Sequence, residues 1–117
     1  MLQLVIHGGA GSLEGKTAEA QSIHQSLSRI WEETFELLKK KSAKEAVIHG
    51  IRLLEDDPVF NAGTGSKLQA DGEVRMSAAL MDGVKNRFSG VINVQNIRFP
   101  IEAAALLSKE KNKVLSA

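Results

Sequence analysis

Midway along this chain the spacing of apolar residues changes from a helical to a strand pattern, and that change constrains its fold more than any other feature. Over residues 17–41 apolar side chains recur every three or four positions, which predicts a long amphipathic helix. A second helix should begin at Ser42, because residues 42–45 have the S-x-x-E form of a capping box, and should end before Pro58. Residues 73–95 are apolar or alternate as β-strands do. The pattern therefore predicts two helices followed by a run of strands.

The remaining segments extend this order at both ends. Strands are predicted at residues 2–6, 67–70, 73–81, 87–95 and from residue 113 onward, and a third helix at 99–108. The pairs Asp71-Gly72 and Asp82-Gly83 mark hairpin turns, and Pro100 suits the first turn of the third helix. The order strand, two helices, strands, helix and strand favours a layered α+β fold over a strictly alternating parallel sheet.

The second helix has a definite predicted face. Its buried side chains should be Ala46, Val47, Ile51 and Leu54, and Gly50 would allow a neighbouring element to approach closely. A length of 117 residues accommodates one small domain. We expect residues 1–117 to form a single, incomplete domain, because the last strand has nothing after it to complete its layer.

Composition excludes several classes of function. The net charge is +1 and the basic residues are spread out, so nucleic-acid binding loses its main electrostatic support. The sequence has no Cys, which excludes disulfides, a thiolate nucleophile and Cys-bound zinc. No apolar run approaches the ~20 residues that span a bilayer, and the start lacks a basic leader. We expect no membrane partner and a cytoplasmic location.

Two glycine-containing segments are candidates for binding. The amides of Gly8 to Gly11 could hold an anion, but Glu14 stands where a dinucleotide fingerprint needs its third glycine. Residues 63–67 contain no Gly-Lys-Ser/Thr, so they are not a Walker loop. The segment from Leu54 to Gly65 could either hold a cation on backbone carbonyls or be a solvated acidic turn. The three histidines have no metal-ligand spacing, and no G-x-S-x-G is present.

The glycine motifs become specific when they are considered together. Val5-Ile6-His7-Gly8-Gly9-Ala10-Gly11 is followed by Phe60-Asn61-Ala62-Gly63-Thr64-Gly65-Ser66, then by Asp71-Gly72-Glu73-Val74 and Met81-Asp82-Gly83. In order and spacing, these motifs resemble the N-terminal half of the plant-type L-asparaginase and isoaspartyl peptidase family. The resemblance implies an N-terminal nucleophile hydrolase fold, a four-layer αββα sandwich. This chain would supply one α layer and part of both sheets.

The resemblance also implies a division of labour. In that family a precursor cleaves itself, and the freed N-terminal threonine of the second portion attacks the side-chain amide of asparagine or an isoaspartyl bond. The principal catalytic residues would lie in that β portion, and the family implies a dimer of αβ pairs. Thr17, Thr34 and Thr64 are the only threonines here. The pair Gly63-Thr64 resembles a cleavage site, but it falls within the Leu54–Gly65 segment that could hold a cation.

This chain would therefore hold supporting residues only. The resemblance implies that a sodium ion binds the backbone carbonyls of Leu54, Glu55, Asp57, Phe60, Ala62 and Thr64. Asn61 would orient the surroundings of the nucleophile, and Gly8 and Gly9 would form a mobile segment near it. Two alternatives stay open, a small anion-binding module and a catalytically dead interaction fragment.

Overall fold

The computed structural model describes residues 1–110 and 113–117 and has an α+β architecture. Its helices are α1 (Thr17–Leu38), α2 (Ala43–Asp56) and α3 (Pro100–Leu107), and a 3-10 turn covers Gly63–Gly65. Its strands are β1 (Met76–Asp82), β2 (Arg87–Val94) and β3 (Lys113–Ser116). The three helices were predicted to within three residues at each end. Residues 111 and 112, in the predicted connection before β3, lie outside the described residues.

The two long helices form because their caps and contact faces agree. The Ser42 hydroxyl accepts from the Glu45 amide at 3.2 Å, and the Glu45 carboxylate accepts from the Ser42 amide at 3.0 Å, which confirms the capping box. A Cβ on Gly50 would lie 3.0 Å from Thr34 of α1, so this glycine lets α1 and α2 approach closely. Val47 was predicted to be buried, and this was wrong. It is exposed because the buried stripe runs through Ala46, Gly50 and Leu54.

The sheet has the strand order β1-β2-β3. β1 and β2 pair antiparallel, and Asp82 makes the turn between them because its Oδ1 accepts from the Val84 and Lys85 amides, each at 3.1 Å. This confirms the hairpin predicted at Asp82-Gly83. β3 pairs parallel to β2 after α3, so the strand predicted from residue 113 is also present.

Two predicted strands are not formed among the described residues. Residues 67–70 instead enter a local turn, in which the Gln69 amide donates to the Glu73 carbonyl at 2.9 Å and the Gly72 amide donates to Gln69. Residues 2–6 pair with no strand, and the Leu4 carbonyl accepts from the Trp31 indole of α1 at 3.0 Å. A strand exists only where a partner supplies backbone hydrogen bonds, and these segments find other partners.

Two apolar clusters stabilise the fold. Leu80, Ile101 and Ala104 join α3 to one face of the sheet, and the buried Ser89 hydroxyl donates to the Ala104 carbonyl at 2.6 Å. Ile30, Leu54 and Phe60 join α1, α2 and the loop that follows α2. The opposite face of the sheet exposes large apolar side chains: Met81, Phe88 and Ile92. No helix in the described part of the chain is both long enough and apolar enough to cross a bilayer.

Candidate functional site

The structure brings the two glycine motifs together at Phe60. Gly8 lies so close to this ring that a Cβ on it would be 2.8 Å from Phe60 Cε1 and 3.2 Å from Leu27 Cδ2. Ile6, two residues earlier, packs against the same cluster as Phe60. Gly8 and Phe60 are more than fifty residues apart in the sequence, and no sequence pattern predicted their contact. The candidate site is therefore the junction of the N-terminal glycine segment (residues 8–11) and the cation loop (residues 57–66).

Asp57 holds the start of the cation loop. Its Oδ1 accepts from the Val59 amide at 3.0 Å, and its Oδ2 pairs with Arg29 of α1 at 3.1 Å. Burial alone would raise the pKa of Asp57, but hydrogen bonds from the Val59 amide and the Ser26 hydroxyl and the charge of Arg29 lower it below its ordinary value. Asp57 is therefore an ionised anchor between the loop and α1.

The glycines of the 3-10 turn make room for carbonyl oxygens. A Cβ on Gly63 would collide with the Glu55 carbonyl, and a Cβ on Gly65 would collide with the Phe60 carbonyl. Gly63 also has a φ of +51°, a conformation that side-chain-bearing residues rarely adopt. The Gly65 amide donates to Ala62 at 3.0 Å and the Ser66 amide donates to Gly63 at 3.1 Å. Carbonyls from the end of α2 and from the loop thus meet at one tight turn.

This arrangement fits a cation held by backbone oxygens. The Leu54 carbonyl has no helical donor, because the residue four positions later is Pro58. The carbonyls of Asp57 and Ala62 each accept one loop hydrogen bond, which leaves each a second lone pair. The described residues contain no group of three or more His, Cys, Asp or Glu side chains that could hold a metal. A cation site built from backbone carbonyls would be of a different kind, since its ligands would be main-chain oxygens.

Asn61 ties the cation loop to the chain that leaves it. Its side chain is exposed, and its Oδ1 accepts from the Lys67 amide at 2.9 Å. The side-chain amide nitrogen is a second functional group, because Asn carries two donors as well as its acceptor oxygen. Asn61 can thus close the loop with one end of its amide and donate with the other.

Glu55 is a member of the site whose side chain the sequence reading missed. Only 4% of the residue is exposed, and its Oε1 accepts from the Ile101 amide at the start of α3 at 2.9 Å. Burial raises the pKa of Glu55 to about 7. The hydrogen bond from the Ile101 amide lowers this pKa, the charge of Glu102 raises it further, and the charge of Arg52 lowers it. Its position four residues after Ile51 and one after Leu54 on the packed face was the signal that could have found it.

The acidic residues at this helix end do not form a solvated turn. Glu55 is buried, and Asp57 is largely covered and paired with Arg29. Of the three, Asp56 is exposed, and it pairs through both oxygens with Arg98 at 3.0 Å and 2.9 Å. The alternative of a solvated acidic turn is therefore wrong for two of the three residues, Glu55 and Asp57.

Comparison with known proteins identifies the family. The sequence profile of a family described as Asparaginase matches residues 1–117. A protein of Nostoc sp. named isoaspartyl peptidase/L-asparaginase is 52% identical over 97% of this chain and 36% of its own length. A protein of the same name from Synechocystis sp. is 50% identical over 97% of this chain and 35% of its own length. The isoaspartyl peptidase of Salmonella typhimurium is 37% identical over 96% of this chain and 37% of its own length.

These matches cover almost all of this chain and the N-terminal part of each relative. The chain spans about a third of the length of the curated relatives it matches, for example 36% of the Nostoc protein. The resemblance predicted from the glycine motifs is confirmed over the whole chain, and this protein belongs to the asparaginase family.

Proposed function

We propose that this chain is the N-terminal, α portion of an L-asparaginase and isoaspartyl peptidase, which hydrolyses the side-chain amide of asparagine or isoaspartyl dipeptides. The observation that carries the proposal is the match of 97% of the chain, at 52% identity, to a relative with that name. The junction of the two glycine motifs supports it, because residues far apart in sequence meet there.

The nucleophile in this proposal is an N-terminal threonine that the β portion of the same precursor exposes by self-cleavage. A hydroxyl is a weak nucleophile near neutral pH, and a free α-amine with a pKa of about 8 is a base already tethered to it. Attack forms an acyl-enzyme and releases ammonia or an amino acid, and water then releases the acid. Hydrogen-bond donors in the β portion would stabilise the oxyanion.

The threonines of this chain are poor candidates for that role. Thr34 is buried between α1 and α2, and Thr17 begins α1. Thr64 lies within the 3-10 turn, and cleavage before it would cut the turn that holds the carbonyls together. In the proposal this chain therefore contributes support, and by itself it is inactive.

That support has two parts. The carbonyls of Leu54, Glu55, Asp57, Phe60, Ala62 and Thr64 would hold a sodium ion, whose charge would fix the loop without taking part in bond making. Asn61 and the Gly8-Gly9 pair would then border the nucleophile. The close packing of Gly63 and Gly65 against loop carbonyls supports this arrangement.

The same proposal assigns a role to the exposed face of the sheet. Met81, Phe88 and Ile92 form an apolar surface that a second sheet, partly from the β portion, would cover in a four-layer αββα sandwich. Two αβ pairs would then assemble as a dimer. We also propose a cytoplasmic location, which the absence of Cys supports.

The first test is an intact mass and N-terminal sequence of the purified protein, followed by assays with asparagine and isoaspartyl dipeptides. A second polypeptide that begins with Thr, together with release of ammonia or free amino acid, is the expected result. A folded chain without such a partner that binds phosphate would favour the anion-binding alternative. One that is folded, inactive and binds no anion would favour the interaction fragment.

A pair of substitutions tests Asn61. Asn61→Asp keeps an acceptor for the Lys67 amide and loses the side-chain N–H donors, whereas Asn61→Ala loses both. If the Asn61 side-chain amide donates near the nucleophile, both self-cleavage and substrate turnover should be slow in both variants. Normal self-cleavage and turnover by both variants would remove Asn61 from the site.

A further inference from the structure

The N-terminal segment is fixed to the helices at alternate residues. The Leu4 carbonyl accepts from Trp31 Nε1 at 3.0 Å, Ile6 packs against the cluster of Ile30, Leu54 and Phe60, and Gly8 lies on the Phe60 ring. This attachment ends at Gly8. A Cβ built on Gly9 or on Gly11 would meet no atom within 4 Å, and residues 9–11 are all exposed.

The next backbone hydrogen bond described along the chain joins the Lys16 amide to the Leu13 carbonyl at 2.9 Å. Residues 9–11 therefore lie between two fixed points, the contact at Gly8 and the turn at Leu13. The direction of the chain at Gly9 depends on where Gly8 rests.

Phe60 contacts both glycine motifs at once. Phe60 is only 4% exposed and its ring faces Gly8, while its carbonyl oxygen lies against Gly65, where a Cβ would collide with it. A shift of the cation loop that moves Phe60 must therefore move the surface on which Gly8 rests. One buried residue mechanically joins residues 57–66 to residues 8–11.

We propose that Phe60 is a positioning residue that sets the place of the glycine segment 8–11 through its contact with Gly8. The proposal rests on the proposed function where it assigns this segment to the neighbourhood of the nucleophile. Gly8 does not have a positive φ, so its backbone conformation does not require glycine. The proposal explains the glycine by the lack of space for a side chain next to Phe60. Gly9 differs, because its φ of +119° itself favours glycine.

The test uses the full-length enzyme and compares Gly8→Ala with Gly83→Ala as the matched control, because Gly83 has no positive φ and lies in the β1–β2 turn, outside the candidate site. The added methyl group at residue 8 forces the chain or the Phe60 ring to shift and also presses on Leu27, whereas at residue 83 it meets open space. Deuterium uptake is measured on peptides that cover residues 1–12, and kcat and KM are measured with asparagine. We expect faster uptake for Gly8→Ala only, and a kcat lower by on the order of 10-fold to 100-fold with a KM nearly unchanged.

A compensating change provides the decisive arm. Phe60→Leu removes part of the ring and keeps an apolar side chain in the cluster. In the Gly8→Ala background it should restore slow uptake of residues 1–12 and recover much of kcat. Where Gly8→Ala does not fold, Phe60→Leu alone should speed the uptake of residues 1–12, because Gly8 loses its support.

The outcomes separate this proposal from the proposed function. Equal uptake and equal kcat for Gly8→Ala and Gly83→Ala would overturn it, and so would a double variant no closer to wild type than Gly8→Ala. An enzyme with no amidase activity in the wild type would overturn the proposed function alone. The exchange measurements would then still decide whether Phe60 positions Gly8.

Discussion

The two glycine motifs of this protein use glycine for opposite reasons. In the cation loop, Gly63 and Gly65 are packed so tightly that a Cβ on either would collide with a carbonyl oxygen. In the glycine segment, Gly9 and Gly11 have no atom within 4 Å of such a Cβ. The first motif is therefore glycine-rich because its backbone is crowded by other backbone. The second is free of packing beyond Gly8.

This difference separates two parts of the proposed site by their rigidity. The cation loop is held by Asp57 to α1, by Asn61 to Lys67 and by the turn bonds of Gly65 and Ser66. The glycine segment is held at its ends. A site assembled from the two parts combines a fixed frame with a strip of backbone that can adjust to a substrate, a pattern common where loops carry function on a rigid scaffold.

Gly63→Ala is the most severe test of whether the cation loop is the more rigid of the two parts. The substitution adds a methyl group against the Glu55 carbonyl and forces a side-chain-bearing residue to a φ of +51°, so we expect a loss of about 3 kcal/mol or more in the free energy of unfolding. Urea unfolding of the full-length protein measures it. Thr64→Ala is the control, because Thr64 is the exposed neighbour of Gly63 in the same turn. This variant should change the free energy of unfolding by less than about 0.5 kcal/mol.

If Gly63→Ala unfolds at the same urea concentration as Thr64→Ala, the turn can relax at little cost. The cation loop would then be no more rigid than the glycine segment. The proposed sodium site would lose its structural support as well, because the carbonyls would not be held in place by the turn.

The parts of this fold that the sequence predicted are the parts set by near neighbours in the chain. The capping box at Ser42, the turn at Asp82-Gly83 and the proline start of α3 each depend on residues within four positions, and all three are present. One of the two failed strands, residues 67–70, was lost to a local turn, and the other was lost to a non-local contact. Residues 2–6 had the composition of a strand but lie against Trp31 of α1.

The candidate site follows the same division. The motif predicted that the cation loop would be organised, and glycine positions in that motif are now explained by carbonyl contacts. The contact of Gly8 with Phe60 and the burial of Glu55 could not be predicted, because each depends on how α1, α2 and α3 pack. A charged side chain at a helix end is exposed more often than buried. Glu55 is an exception because the start of α3 packs against it and the Ile101 amide donates to its carboxylate.

The second prediction concerns the pH dependence of the rigid part. Burial raises the pKa of Glu55 to about 7, from an ordinary value near 4.5. The native state thus holds this proton more tightly than the unfolded state does, so the stabilisation is complete below pH ~4.5 and is lost as the pH rises through ~7. The loss should amount to roughly 3 kcal/mol. Glu55→Gln keeps an acceptor for the Ile101 amide and should remove this part of the pH dependence.

The measurement is the free energy of unfolding from pH 4.5 to pH 8 at constant sodium concentration, for the wild type, Glu55→Gln and the control Glu32→Gln. Glu32 is an exposed carboxyl on α1, so its variant should follow the wild type. Parallel curves for the wild type and Glu55→Gln would contradict the raised pKa. They would also indicate that water reaches the end of α2.

A smaller effect is expected at the edge of the loop, where Arg29 pairs with Asp57. Arg29 is more than half exposed, so Arg29→Ala should cost about 0.2 to 1 kcal/mol. Asp57→Ala should cost more than Arg29→Ala, because it also removes the acceptor for the Val59 amide. Raising the salt concentration should shrink the effect of Arg29→Ala and leave most of that of Asp57→Ala. Equal losses in the free energy of unfolding for the two variants would mean that Asp57 stabilises the protein through the ion pair alone.

The smallest effect is expected at Gly11, and its sign matters more than its size. A methyl group there meets no atom within 4 Å, and Gly11 is not among the glycines with a positive φ, so the native state should accept alanine without strain. Alanine also restricts the unfolded chain, which by itself stabilises a protein by about 0.4 to 1 kcal/mol. That gain requires a single backbone conformation in the native state. Gly11→Ala should therefore raise the free energy of unfolding only if residues 9–11 are ordered between Gly8 and Leu13. A value unchanged within about 0.2 kcal/mol would mean that the segment keeps its freedom in the folded protein, since alanine would then restrict both states alike.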